Sequence, residues 1–516
     1  MKLSTIVKIA VTSSVVLLCT GFALYSFFRL SSAENQKDFN LYSLVPCSAT
    51  AIFETNNAVE FVAEVDELTC SKNQQYLYVS KLFSDLKQYL YTVFEEAPHG
   101  LSRQMNQVLI SFHEPDNDRN QVLYCSLGAG DQVLVESFVQ KYAIADYPPK
   151  VFNYKGEEIT IYPMVNGDFL SCYLTSDFIA LSYQKKLVEE VIDAYTSGNS
   201  LASDPAFIGG KQIKKTNSIA NLYARLNGMI GWTEFNMKLK GDFIYFSGLS
   251  HDVDTCFTFI NALRQQESVK GFSGDILPSA TFYFSKQGST DWPSLLAYSE
   301  SQQHQEIEMT TEVYEMNKRL SRYLIENTGN DLITCMFQRK DSLMEPAAIM
   351  SLPVSDTSEA EQMLRPIVSK TSAFCYTPNK AYAIYALPPT TLFTQLTGFA
   401  EPASDVYVAF YNGRILFAPD ADSLSLYIQR LEAGEVLSGA LAYRAGTDGL
   451  SDSYHFMLMA DFEEVFRQPE TYIRVIPDFF FHNSEFFRHF VLFAQFSCAD
   501  GVIYPNVVLK YKSDKE

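Results

Sequence analysis

Near the carboxyl-terminal end, the run FFHNSEFFRHFV brings His482, Glu485 and His489 within three and four residues of one another. Imidazoles and a carboxylate at that spacing share one side of a helix, where they could meet a metal ion. The same spacing describes the ordinary solvent face of an amphipathic helix, and the segment offers no further ligand, so no metal site is assigned. Wound as a helix from Phe479, the run places Phe479, Phe480, Phe486, Phe487 and Phe490, with Val491, on the opposite arc. Covered, such an arc is core packing, which is the expectation here; exposed, it is a binding surface.

Other candidate chemistry is sparser. In HDVD, His251 to Asp254, one imidazole stands near two carboxylates, but a helix start capped by Asp252 or Asp254 explains the pattern without a metal. DNDRN, Asp116 to Asn120, has the acidic spacing of a calcium loop, yet Gln121 and Leu127 occupy the positions that need glycine and glutamate. A solvated hairpin turn is expected there instead. The chain contains no GxSxG, P-loop, GxGxxG, HExxH or CxxC motif, so no catalytic or cofactor-binding residue and no cofactor is assigned.

The elements that would carry these residues come twice. FIALSYQKKLVEEVIDAYTSGNSL, from Phe178, reads as strand, turn and helix, and RILFAPDADSLSLYIQRLEAGEVL follows 236 residues later. LVPCSATAIFETNN from Leu44 is answered by ILPSATFYFSKQGS from Ile276. Near the end of each copy, Gly241 and Asp242 answer Asp500 and Gly501, and Ile244-Tyr245 answers Ile503-Tyr504. The reading is a tandem duplication, with a first repeat domain over 41–250, a helical connector over 251–271, and a second repeat domain over 272–512. The second copy carries an inserted aromatic helix near 467–490. Strands arrive mainly as turn-linked pairs with helices between the pairs, which predicts an α+β fold with largely antiparallel sheets.

A chain of 516 residues, 47% of them apolar, is long enough for more than one core. Residues 9–28 form an uncharged, mainly apolar run closed by Arg29, long enough to cross a bilayer, which predicts an uncleaved transmembrane anchor over 1–30 and a linker over 31–40. Lys2 and Lys8 precede the run, and Glu34 and Asp38 follow Arg29, a bias that places the amino terminus in the cytoplasm and the remainder outside. Setting aside the basic Lys2, Lys8 and Arg29 takes the formal charge from −20 to −23, a balance that repels nucleic acid. Cys125, Cys172, Cys335 and Cys375 sit inside apolar runs, where cysteine serves as a small buried residue, so free thiols are expected.

With the apolar amino-terminal run, the SGNSL ending and the LPSAT restart set side by side, the chain resembles an uncharacterised family of membrane-anchored bacterial envelope proteins, classed as a domain of unknown function. The similarity covers most of residues 40–512 and rests on structural residues: Pro46, Pro278, Gly198, Leu201, Gly434 and Leu437. The resemblance implies an inner-membrane, single-pass protein with its bulk extracytoplasmic, and it brings no catalytic residues. The functional expectation is a binding or scaffold protein, partnered by the cytoplasmic membrane through residues 9–28 and by an envelope protein or lipid. The alternatives are a carrier of an apolar ligand such as a lipid, and an enzyme with a site between the repeats.

Overall fold

The structure is a computed structural model, and it describes residues 39–72, 106–113, 119–128, 131, 147–164, 167–207, 218–225, 231–250, 259–301, 310–339, 345–368, 370–378, 380–397, 406–472, 476 and 478–512. The strands of the first half are β1 (Ala51–Thr55), β2 (Val108–Phe112), β3 (Gln121–Ser126), β4 (Lys150–Tyr154), β5 (Glu157–Pro163), β6 (Phe169–Leu174), β7 (Phe178–Ser182), β8 (Ala220–Ala224), β9 (Thr233–Lys240) and β10 (Phe243–Ser250). Those of the second are β11 (Val269–Lys270), β12 (Thr281–Gly288), β13 (Asp331–Phe337), β14 (Ala347–Pro353), β15 (Lys370–Tyr376), β16 (Ala381–Ala386), β17 (Tyr407–Tyr411), β18 (Arg414–Ala418), β19 (Ser453–Tyr454), β20 (Phe456–Asp461), β21 (Phe490–Ala499) and β22 (Val502–Tyr511).

The short β11 pairs with β19, and the other strands form one 20-stranded antiparallel sheet. From one edge its order is β4-β5-β6-β7-β3-β2-β1-β8-β9-β10, and from the other it is β15-β16-β17-β18-β14-β13-β12-β20-β21-β22. The two halves therefore have the same connectivity, and they meet where β10 pairs antiparallel with β22. Three two-residue hairpins explain part of this regularity. Lys155-Gly156, Asn412-Gly413 and Asp500-Gly501 all have positive φ at both positions, the turn whose twist matches the flanking strands.

Equivalent helices, Lys185–Ser197 and Ala421–Glu432, follow β7 and β18. Each buries one apolar stripe, Leu187, Val188, Val191 and Ile192 in the first and Leu424, Tyr427 and Ile428 in the second. Each run ends at a glycine in the left-handed region, Gly198 at φ 72° and Gly434 at φ 73°, where a Cβ would be strained.

Alternation along the strands divides the core. One sheet face carries a single apolar cluster through both halves, including Phe53, Ile110, Met336, Phe490 and Leu492. The opposite face carries two separate clusters. One holds Ile52, Leu109, Tyr124 and Trp232, and the other holds Phe337, Tyr427, Val508 and Phe493. The buried thiols of Cys125 and Cys172 belong to the first of these layers, and those of Cys335 and Cys375 to the second cluster.

Packing in the second cluster leaves no room at Gly446, on the helix Leu441–Thr447: a Cβ there would overlap the ring of Phe493, itself fully buried. Gly446→Ala is expected to lower stability by about 1–3 kcal/mol, the usual effect of overpacking a filled core. Denaturant titration checks this, and an unchanged midpoint would show that the ring has space to move.

Two expectations need correction. Among the described residues no helix is long and apolar enough to cross a membrane, and residues 9–28, assigned above as the anchor, lie outside them. Even the 17-residue helix Thr311–Asn327 is amphipathic, with Glu315, Lys318, Arg319 and Arg322 along it. The described fold is thus α+β without a membrane-spanning helix. The aromatic insertion, expected as one helix, is a series of short ones: Pro469–Tyr472, Asp478–His482 and Ser484–Phe487. Asn483 interrupts the last two, and Phe490 already belongs to β21, paired with Tyr511. The β-favouring run FVLFAQF satisfies its backbone in the sheet instead of prolonging a helix.

Candidate binding surface

On the face with two separate clusters, six polar residues stand directly opposite one another on six neighbouring strands. They are Glu54 (β1), Asn221 (β8), Asn236 (β9), Ser247 (β10), Asn506 (β22) and Gln495 (β21). Since Ile244-Tyr245 corresponds to Ile503-Tyr504, Ser247 corresponds to Asn506, so the facing pair at the centre of the row joins equivalent positions of the two halves. Antiparallel pairing puts facing residues on the same side of the sheet, so the row is a consequence of register.

The outer members of the row are held by neighbours. Glu54 accepts from the Tyr42 hydroxyl at 2.6 Å, and Asn221 Oδ1 accepts from Ser218 Oγ at 2.9 Å. Gln495, fully buried, donates to the Ser451 carbonyl at 2.6 Å and accepts from the Ser451 N–H at 2.9 Å. The centre is different: Ser247 is exposed, Asn236 and Asn506 are half-buried, and Asn236 Oδ1 is buried without a hydrogen-bond partner among the described residues. An acceptor in that state costs about 1–3 kcal/mol unless a donor reaches it.

Around this centre lie Tyr504, 41% exposed, half-buried Leu249 and Ser497, and exposed Lys238. Glu234, beside the row, has its carboxyl raised above the ordinary value by burial and by the neighbouring Glu54 carboxylate. Carboxamides and a hydroxyl both donate and accept, and they carry no charge, so the central row suits an uncharged partner rich in amides or hydroxyls.

The residues singled out from the sequence lie elsewhere. Phe487 and Phe490 are in the core, at 5% and 0% exposure, and Phe480 and Phe486 are half-buried against it. Phe480, Phe486 and Phe487 form a ring cluster with Phe462, with centroids 4.8 to 5.9 Å apart in the Phe480–Phe487, Phe462–Phe480, Phe486–Phe487 and Phe462–Phe487 pairs. Phe479 lies in the helix Asp478–His482.

His482 and Glu485 are exposed, whereas His489 is half-buried 6.4 Å from the Tyr511 ring. Among the described residues no three His, Cys, Asp or Glu side chains stand together as a metal site. His251, Asp252 and Asp254, and Asp116 to Asp118, lie outside the described residues.

Residues 105–240 match the family described as a protein of unknown function (DUF3352). No curated protein and no solved structure matches the chain.

Proposed function

We propose that the protein is a binding or scaffold protein of the bacterial envelope, and that it engages an uncharged, amide-bearing chain across the middle of its sheet. The observation that carries this reading is Asn236 Oδ1, without a hydrogen-bond partner among the described residues, beside exposed Ser247 and half-buried Asn506. Exposed Ser247 and half-buried Asn506 offer donors and acceptors to such a chain, and a turn of the Asn236 carboxamide on binding would give its Oδ1 a donor and remove the desolvation cost that the free protein bears. Phe487 and Phe490, turned into the core, offer a partner little, so the polar row is favoured over the aromatic arc. The acidic balance of the chain agrees with an uncharged ligand and disfavours a polyanion.

Calorimetric titration with two probes tests this: chitohexaose, an N-acetylated oligosaccharide, and a neutral Gly/Ser hexapeptide. Binding of at least one is expected, weakened about tenfold or more by Asn236→Leu, since losing one buried hydrogen bond costs about 1–3 kcal/mol. Binding of neither probe, or equal binding to the Leu variant, would overturn the reading.

A further inference from the structure

Away from the mid-sheet row, a hydrogen-bonded chain of side chains runs from the core of the first half to its surface. Fully buried Tyr124 lies 3.1 Å from Ser111 Oγ, and Ser111, also fully buried, lies 2.9 Å from His113 Nε2. His113 Nδ1 stands 3.0 Å from the hydroxyl of Ser48, which is exposed. Glu190, on the helix Lys185–Ser197, brings a carboxylate oxygen to 3.5 Å from the same hydroxyl.

The backbone holds both ends of the contact. The Ala49 N–H donates to the Pro46 carbonyl at 3.1 Å, closing the turn that presents Ser48, and the Thr50 N–H donates to the Phe112 carbonyl at 2.8 Å, tying that turn to the end of β2. One residue past β2, the His113 N–H donates to the Asn120 carbonyl at 2.9 Å. Neither side chain therefore depends on a long loop for its position.

From this geometry we infer that Ser48 is a nucleophile activated by His113, with Ser111 as a positioning residue, and that the pair performs acyl transfer from a small activated ester. A hydroxyl within hydrogen-bond reach of an imidazole, whose other nitrogen is held by a third group, is the arrangement such activation requires. A ring protonated on Nε2 donates to Ser111 and leaves Nδ1 free to accept from Ser48. Burial depresses the His113 imidazole to about 4, so at neutral pH the ring is neutral and one of its nitrogens carries a lone pair.

In the reaction, Ser48 Oγ forms a bond to the acyl carbon while its proton passes to His113 Nδ1. The bond from that carbon to the leaving oxygen breaks, and the leaving oxygen takes the proton from His113 and departs as an alcohol. Water then adds to the acyl-serine with His113 again accepting a proton, and the acid leaves as Ser48 regains its hydrogen.

A fluorophosphonate probe on the full chain, followed by peptide mass spectrometry, tests the assignment. An adduct on Ser48 is expected, absent from Ser48→Ala. His113→Ala should slow labelling about 100-fold or more, the usual contribution of a general base, and free imidazole should restore part of the rate. His113→Gln serves as the second variant where circular dichroism shows His113→Ala unfolded. No adduct on Ser48 in folded protein, or labelling indifferent to a folded His113 variant, would overturn the inference.

Discussion

Phe490→Ala is expected to lower stability by about 3–5 kcal/mol, the usual range for deleting a fully buried aromatic ring. Phe490 is 0% exposed and opens β21, where its backbone is fixed by pairing with Tyr511. Its ring lies 5.0 Å from that of Phe486, 5.4 Å from Tyr511 and 6.3 Å from Phe487. Those neighbours are themselves braced: Phe487 packs on Phe480 and Phe462, and Phe462 stacks on Phe466 at 5.1 Å. A site walled by rings in contact with one another collapses poorly, so most of the cavity term should remain. Denaturant titration of the full chain measures it. A loss below about 1 kcal/mol, accompanied by loss of a bound lipid or protein, would instead make the aromatic cluster a binding surface.

Asp331→Ala should be comparably damaging, at about 3–5 kcal/mol, because it leaves two buried cations without their anion. Arg414 Nη2 lies 2.6 Å from Asp331 Oδ1, and Lys286 Nζ lies 3.8 Å from Asp331 Oδ2, with Arg414 and Lys286 side chains only 11% and 7% exposed. Arg414 also donates to the Ser351 hydroxyl and carbonyl, and Lys286 to the carbonyls of Lys270 and Gly271, so neither cation can swing to water without breaking further bonds.

The deficit should depend on pH in a definite sense. Burial holds the Lys286 ammonium below its ordinary value, with Asp331 opposing that shift and Arg414 adding to it, so removing Asp331 lowers it further. Between that depressed value and the ordinary 10.5 the unfolded chain binds more protons than the folded one, so stability rises with pH. The gap between variant and wild type should therefore narrow as pH rises. Lys286→Met placed in the Asp331→Ala background should recover part of the loss, and a gap insensitive to both changes would contradict the account.

How much of this was legible in the sequence depended on how local each feature is. The antiparallel α+β class could be read because strands come as turn-linked pairs, Asp500-Gly501 marking one such turn, with helices such as the one after Phe178–Ser182 between the pairs. Aromatic periodicity misled the reading of 479–491, since phenylalanines spaced for a helix also suit a strand, and pairing with β22 decided the outcome at Phe490.

The polar row was beyond reach. Glu54, Asn221, Asn236, Ser247, Gln495 and Asn506 become neighbours only through strand register, and a slip of one residue would turn each of them to the other face. Ser48 and His113 are 65 positions apart and carry no local motif, so the contact between them exists only once β1 lies beside β2.

The seam between β10 and β22 has a consequence for how the halves stay together. Were they separate chains, the same contact would be a pseudo-symmetric edge-to-edge interface, and its occupancy would rise and fall with protein concentration. Because residues 251–271 join them, the encounter is intramolecular, and the connector sets its effective concentration. Dilution therefore cannot part the halves while each remains folded, and a sheet edge open to strand invasion is occupied from within the same chain.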